Sequence, residues 1–147
     1  MNQSVATYEE KGRILAKQIL NKSTQYKWVS DSVDKYAIYD QVWKNLQGQN
    51  ILVEIKVRSC KMDKYKSALL EASKYDALKN IADNHNCLIY YVNFYDDGVK
   101  IYHINDLFGY AKKTIKAPAK TFVNKKDKID KQVYELKNDK LIHKLIL

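Results

Sequence analysis

Residues Asn50 to Ser59 read NILVEIKVRS, an apolar strand pattern that carries Glu54, Lys56 and Arg58 at alternate positions. Successive side chains of a strand point to opposite faces. Ile51, Val53, Ile55 and Val57 therefore share one face, and Leu52, Glu54, Lys56 and Arg58 share the other. The residues just upstream, Lys35 to Lys44 (KYAIYDQVWK), are rich in aromatic and β-branched types and also read as a strand, as do Tyr26 to Ser30 (YKWVS). Between the two later strands lies NLQGQ. A hairpin closing through Leu46, Gln47 and Gly48 puts Gly48 where a three-residue loop needs a left-handed backbone. Its register sets Val42 opposite Leu52, Lys44 opposite Asn50 and Asp40 opposite Glu54.

Two carboxylates facing each other across a strand pair repel, and burial makes the repulsion worse. A divalent cation offsets it: Mg²⁺ takes hard oxygen ligands, commonly one or two carboxylates with water and substrate phosphate. Asp40, Glu54 and the main-chain carbonyl of Ile55 form a candidate ligand set, with Lys56 placed to hold a water or balance developing charge. The other account of the same residues is a solvent-facing hairpin in which Asp, Glu and Lys make an ordinary cross-strand ion-pair ladder. Glu-x-Lys alone does not decide between them, because it occurs three times, at Glu9, Glu54 and Glu135. Only Glu54 lies mid-strand in an apolar run, after an aspartate on a preceding strand.

Outward from the hairpin, Thr7 to Lys22 has helical apolar spacing through Tyr8, Ile14, Leu15, Ile19 and Leu20, with Glu9 near the edge of the apolar stripe and Glu10 roughly opposite it. Ser67 to His85 returns to helical spacing. CLIYYVNFY and VKIYHI read as strands joined by the turn Asp96-Asp97-Gly98, and KQVYEL and KLIHKLIL suggest one or two late strands. The order of helix, three strands, helix, two strands predicts an α/β mixed sheet with helices packed on it.

Asp40 followed by Glu54-Ile55-Lys56 inside an apolar strand, downstream of an acid-bearing helix, resembles the PD-(D/E)XK nuclease superfamily. That resemblance covers Thr7 to about Asn93 and implies a restriction-endonuclease-like fold with an αβββαβ core. It also implies Mg²⁺- or Mn²⁺-dependent hydrolysis of phosphodiester bonds in DNA, of the kind small Holliday junction resolvases and phage nucleases perform, with endonuclease action expected over exonuclease action. Carried over position by position, Glu9 resembles the first-helix glutamate, Asp40 the motif aspartate, Glu54 the second acid and Lys56 the lysine. Lys74 is the candidate for a further polar residue reaching the site from the following helix. The family's proline before the aspartate is replaced here by Tyr39. The alternative function on the same fold is a non-catalytic nucleic-acid-binding or interaction module.

The totals agree with a polyanion partner. The chain has 147 residues and net charge +9, with arginine only at positions 13 and 58 among its 26 basic residues. Lysine acts as a point charge on phosphate, whereas base-edge reading leans on bidentate arginine, so backbone or shape recognition is favoured. Arg58, Lys61, Lys64 and Lys66 follow the motif strand and are candidates to hold the substrate backbone together with Lys74. A single domain over residues 1–147 is expected, with a basic C-terminal extension from about residue 111. No apolar run is long enough to span a bilayer and no signal peptide is legible, so a cytoplasmic protein without a membrane partner is expected. No small-molecule cofactor is implied. Homodimerisation would let two copies cut two strands. Cys60, Cys87 and His85 lack zinc-ligand spacing, and the two cysteines are expected to be reduced thiols.

Overall fold

The computed structural model describes residues 5–32, 37–118 and 128–147. Helix α1 (Val5–Asn21) is followed by strands β1 (Tyr26–Asp31), β2 (Gln41–Asn45), β3 (Asn50–Val57) and β4 (Ala68–Glu71), and then by helix α2 (Ala72–His85). Strands β5 (Leu88–Tyr95), β6 (Gly98–His103), β7 (Lys112–Pro118), β8 (Lys128–Leu136) and β9 (Leu141–Ile146) complete the chain. Among the described residues they form a six-stranded sheet in the order β1-β2-β3-β5-β6-β9 and a three-stranded sheet in the order β4-β8-β7. Neither helix is long and apolar enough to cross a membrane.

The β2–β3 hairpin has the expected register, Val42 opposite Leu52 and Lys44 opposite Asn50. Its loop closes with Gly48 N–H donating to Asn45 O, and Gly48 stands at φ 79° as the loop requires. The expected strand from Lys35 starts only at Gln41; Lys35 and Tyr36 lie outside the described residues. Regular pairing stops at Gln41 opposite Val53 because Ile55 N–H donates to the side chain of Asp40, Oδ2 at 2.7 Å, where a continuing strand would offer a carbonyl. The aspartate thus ends the strand that carries it to the site.

β3 pairs with β5 in parallel, Glu54 opposite Tyr91 and Lys56 opposite Asn93. A parallel pair needs a crossover, which β4 and α2 supply, so β3 is covered on both faces. On one side α1 packs its Ala16 and Leu20 against Trp43, Ile51, Val53 and Val92. On the other, Tyr75 and Leu78 of α2 pack with Leu52, Ile89 and Tyr91. The alternation within β3 therefore separates two cores, and the charged face looks towards α2.

α1 comes closest where it has no side chain. A Cβ on Gly12 would sit 2.7 Å from Ile55 Cγ2 and 3.3 Å from Val57 Cγ2. This close approach rotates the buried stripe onto Gly12, Ala16 and Leu20 and leaves Ile14, expected inside, 49% exposed. Buried Gln41 completes the attachment: its Nε2 donates to Arg13 O at 3.1 Å and Asp31 Oδ1 at 2.9 Å, while its Oε1 accepts from Trp43 Nε1 at 2.9 Å.

The second expected helix begins at Ala72, not Ser67. Ala68 to Glu71 alternate buried and exposed and pair with β8, Leu70 opposite Tyr134, so partners some sixty residues away turn an apparent helical turn into a strand. β5, the turn at Asp96-Asp97 and β6 follow expectation. Beyond residue 111, β9 pairs with β6 at the edge of the large sheet, and β7 and β8 build the small one.

Candidate active site

Four elements converge on Glu54. Near the middle of β3 its carboxylate is 6% exposed and faces α2. Asp40 arrives from the start of β2, its orientation fixed by the hydrogen bond from Ile55 N–H. Lys74, in the first turn of α2, brings Nζ to 3.8 Å from Glu54 Oε1 and 3.5 Å from Ile38 O. Glu9 is exposed on α1, close enough for its charge to be felt by both acids.

Burial pushes the Glu54 carboxyl up from its ordinary 4.5 to about 8; the Asp40 charge adds to this, and Lys74 and Lys56 pull against it. Asp40 is also raised by burial, opposed by the Ile55 N–H and by Lys74 and Arg13. Burial thus raises both carboxyls, and the Asp40 charge makes Glu54 harder still to ionise, a relation typical of functional acid pairs. No group of three or more His, Cys, Asp or Glu side chains forms a metal cluster among the described residues. The donor set nonetheless suits a hard dication: two carboxylates with adjacent main chain, whose mutual repulsion a cation would relieve.

Glu54 opens into a cleft of about 190 Å³, which Asp40 does not line. Lys56, Arg58 and Lys74 line one side with Glu54; Ile115 and Ala117 of β7 and Lys131 and Val133 of β8 line the other. Lys56 is exposed. The Arg58 guanidinium is already engaged, Nε donating to Asn93 Oδ1 at 3.0 Å and Nη2 to Tyr91 Oη at 2.9 Å. Lys61, Lys64 and Lys66 are exposed on the segment after β3 and do not line the cleft; Lys64 Nζ lies 5.5 Å from the centre of the Tyr65 ring. A larger apolar pocket of about 480 Å³, between the end of α1 and β9, is lined by Tyr26, Trp43, His143 and Leu145 and contains no acidic side chain.

The site thus brings together Asp40, Glu54, Lys56 and Lys74, with Glu9 at its margin. Sequence reasoning missed Tyr91, Asn93 and the wall from the small sheet. Asn93 did carry a signal, as the one amide in the apolar run of β5.

No protein-family model matches the sequence, and no curated protein is significantly similar to it. The structure is similar to that of Hjc from Archaeoglobus fulgidus, a Holliday junction resolvase from an archaeal hyperthermophile, over 88% of each chain with a TM-score of 0.52 and 11% identity. The chain has the restriction-endonuclease-like fold. At that identity the likeness is one of fold, and the αβββαβ core expected from the hairpin motif is the part that carries the acid pair.

Proposed function

We propose that this protein is a divalent-metal-dependent nuclease that hydrolyses phosphodiester bonds in DNA, acting internally and guided by shape more than by base sequence. The observation that carries this is the Glu54 carboxylate, nearly buried beside Asp40 at the floor of a basic cleft and pushed up to about 8. A carboxylate kept there in spite of its electrostatic cost fits a cation site better than a surface ion-pair ladder, whose members would be solvated.

In this reading Asp40, Glu54 and the carbonyl of Ile55 hold Mg²⁺ or Mn²⁺, which when bound supplies Lewis-acid assistance to phosphoryl transfer. Lys56 orients the attacking water and balances negative charge developing on the phosphoryl oxygens. Lys74 favours the anionic form of Glu54 against the effect of burial, and Glu9 on α1 orients the site or holds a second ion. Arg58, Lys61, Lys64 and Lys66 hold the substrate backbone, and the scarcity of arginine favours phosphate contact over base reading. The fold neighbour is a Holliday junction resolvase, which supports branched DNA as a substrate; a homodimer would let two copies cut two strands.

Purified protein should nick plasmid, four-way junction, flap or single-stranded DNA with Mg²⁺ or Mn²⁺, and chelator should stop it. Glu54→Ala and Lys56→Ala should each lower the rate by about 10²-fold or more. Cutting that survives both substitutions rejects the mechanism. DNA binding without cutting under either metal would instead establish a non-catalytic module.

A further inference from the structure

Of the 26 basic residues only Arg13 and Arg58 are arginine. Arg13 lies on α1 where its charge lowers the pKa of Asp40; Arg58 lines the cleft. In a chain that uses lysine nearly everywhere else, Arg58 puts a planar, permanently charged fork in the cleft.

Arg58 is held from several sides. Nε donates to Asn93 Oδ1 at 3.0 Å, and Nη2 donates to Tyr91 Oη at 2.9 Å and to Leu69 O at 3.3 Å. Tyr91 Oη in turn donates to Leu69 O at 2.9 Å. The residues that grip Arg58 are the strand neighbours of the proposed catalytic pair, Tyr91 opposite Glu54 and Asn93 opposite Lys56. Asn93 is fully buried, and its Nδ2 has no hydrogen-bond partner among the described residues. A buried donor without an acceptor is destabilising, so an apolar residue would serve the core better. What the amide does provide is the acceptor that fixes Nε. Nε and Nη2 are engaged, Nη1 has no hydrogen-bond partner among the described residues, and Arg58 lines the cleft.

We propose that Arg58 is a fixed phosphate clamp, gripping a backbone phosphodiester next to the one being cleaved, and that Asn93 and Tyr91 are positioning residues that hold its fork in place. This rests on the nuclease reading for the identity of the polyanion, but the clamp is a binding element that can be measured without any cutting. Prior fixation is the point of the arrangement: a side chain already ordered loses little freedom when it binds.

The test is fluorescence anisotropy of labelled single-stranded and four-way DNA in chelator across a salt series, with thermal melts of every variant. Arg58→Ala should weaken binding about tenfold, the size of one charge-assisted contact. It should also reduce the slope of log Kd against log salt by about 1. Arg58→Lys should keep that slope, since the charge remains, yet still bind several-fold more weakly. Tyr91→Phe, which removes only a hydroxyl, should weaken binding about threefold and, in cutting assays with metal, raise KM without lowering kcat. Asn93→Leu should weaken binding with no loss of melting temperature. Should Arg58→Ala fail to fold, Arg58→Lys and Tyr91→Phe carry the test.

Arg58→Lys binding as tightly as wild type overturns the clamp. So do variants that lose melting temperature while affinity and salt slope stay unchanged, which is the behaviour of a structural strut. A wild type that cuts nothing but loses affinity on Arg58→Lys rejects the nuclease reading and upholds the clamp. A wild type that cuts, with an Arg58→Lys variant of equal affinity, rejects the clamp alone. A wild type that binds no DNA at low salt rejects both.

Discussion

Glu54 is the residue on which the chemistry turns, and its protonation sets a stability prediction. In the unfolded chain the carboxyl titrates near its ordinary 4.5, and in the metal-free fold near 8. Between those values the native state holds a proton that the unfolded state has released, so stability falls as pH rises through the window; it is fully present below 4.5 and lost above 8. Asp40, raised in the same direction, adds to the fall. At about 1.4 kcal/mol per pKa unit the loss amounts to a few kcal/mol. Denaturant melts in chelator at steps from pH 5 to pH 9 would measure it, and Glu54→Gln should flatten much of the slope. Parallel curves for the two proteins would show that the side chain titrates normally. Glu54 was legible in the sequence because an acid inside an apolar strand conflicts with its surroundings. Tyr91 was not, because a tyrosine in a buried strand conflicts with nothing.

At the scale of elements, the seating of α1 on β3 depends on Gly12. Its Cβ would fall 2.7 Å from the Ile55 methyl, inside any real contact distance, so a substitution must lift the helix or displace a residue beside Glu54. Gly12→Ala gains about 1 kcal/mol of helix propensity and still should destabilise, because overpacking costs about 1–3 kcal/mol. Gly12→Val should cost more. Thermal melts of both variants check this, and a Gly12→Ala protein more stable than wild type would mean that the contact relaxes freely. The sequence placed the helix within two residues at either end and had Leu15, Ile19 and Leu20 on the core side, but wrongly included Ile14. Ile14 was the natural anchor by hydrophobicity, but closeness to the sheet favoured a glycine and an alanine. The β2–β3 hairpin fared better, since turn chemistry and alternation are local and agree with each other.

At the scale of the whole molecule, the small sheet closes one side of the cleft, so that Glu54 lies in a pocket instead of on an open sheet face. A dication held there stabilises the fold by mass action, by about 2.7 kcal/mol at a hundred times its Kd. Mg²⁺ or Mn²⁺ should therefore raise the melting temperature of the wild type, and should do so more at pH 8.5 than at pH 6.5, because below about 8 a proton competes for Glu54. The double variant Asp40→Asn, Glu54→Gln should show no such rise. An equal rise in that variant would place the ion elsewhere.

By itself the sequence determined the hairpin register from Gln41 to Asn50, the acid and lysine on one face of β3 and the sheet-with-helices class, because a period of two, a glycine in a tight loop and an acid in an apolar strand are all decided between near neighbours; the expected pairing of Asp40 across from Glu54 lies beyond the ladder, which ends at Gln41 opposite Val53. Only the tertiary structure decided that Asn93 and Tyr91 flank Arg58 and that β7 and β8 wall the cleft. Those meetings depend on a parallel pairing across a crossover and on the pairing of β4 with β8, where strands far apart in the chain meet and no local pattern records the partner.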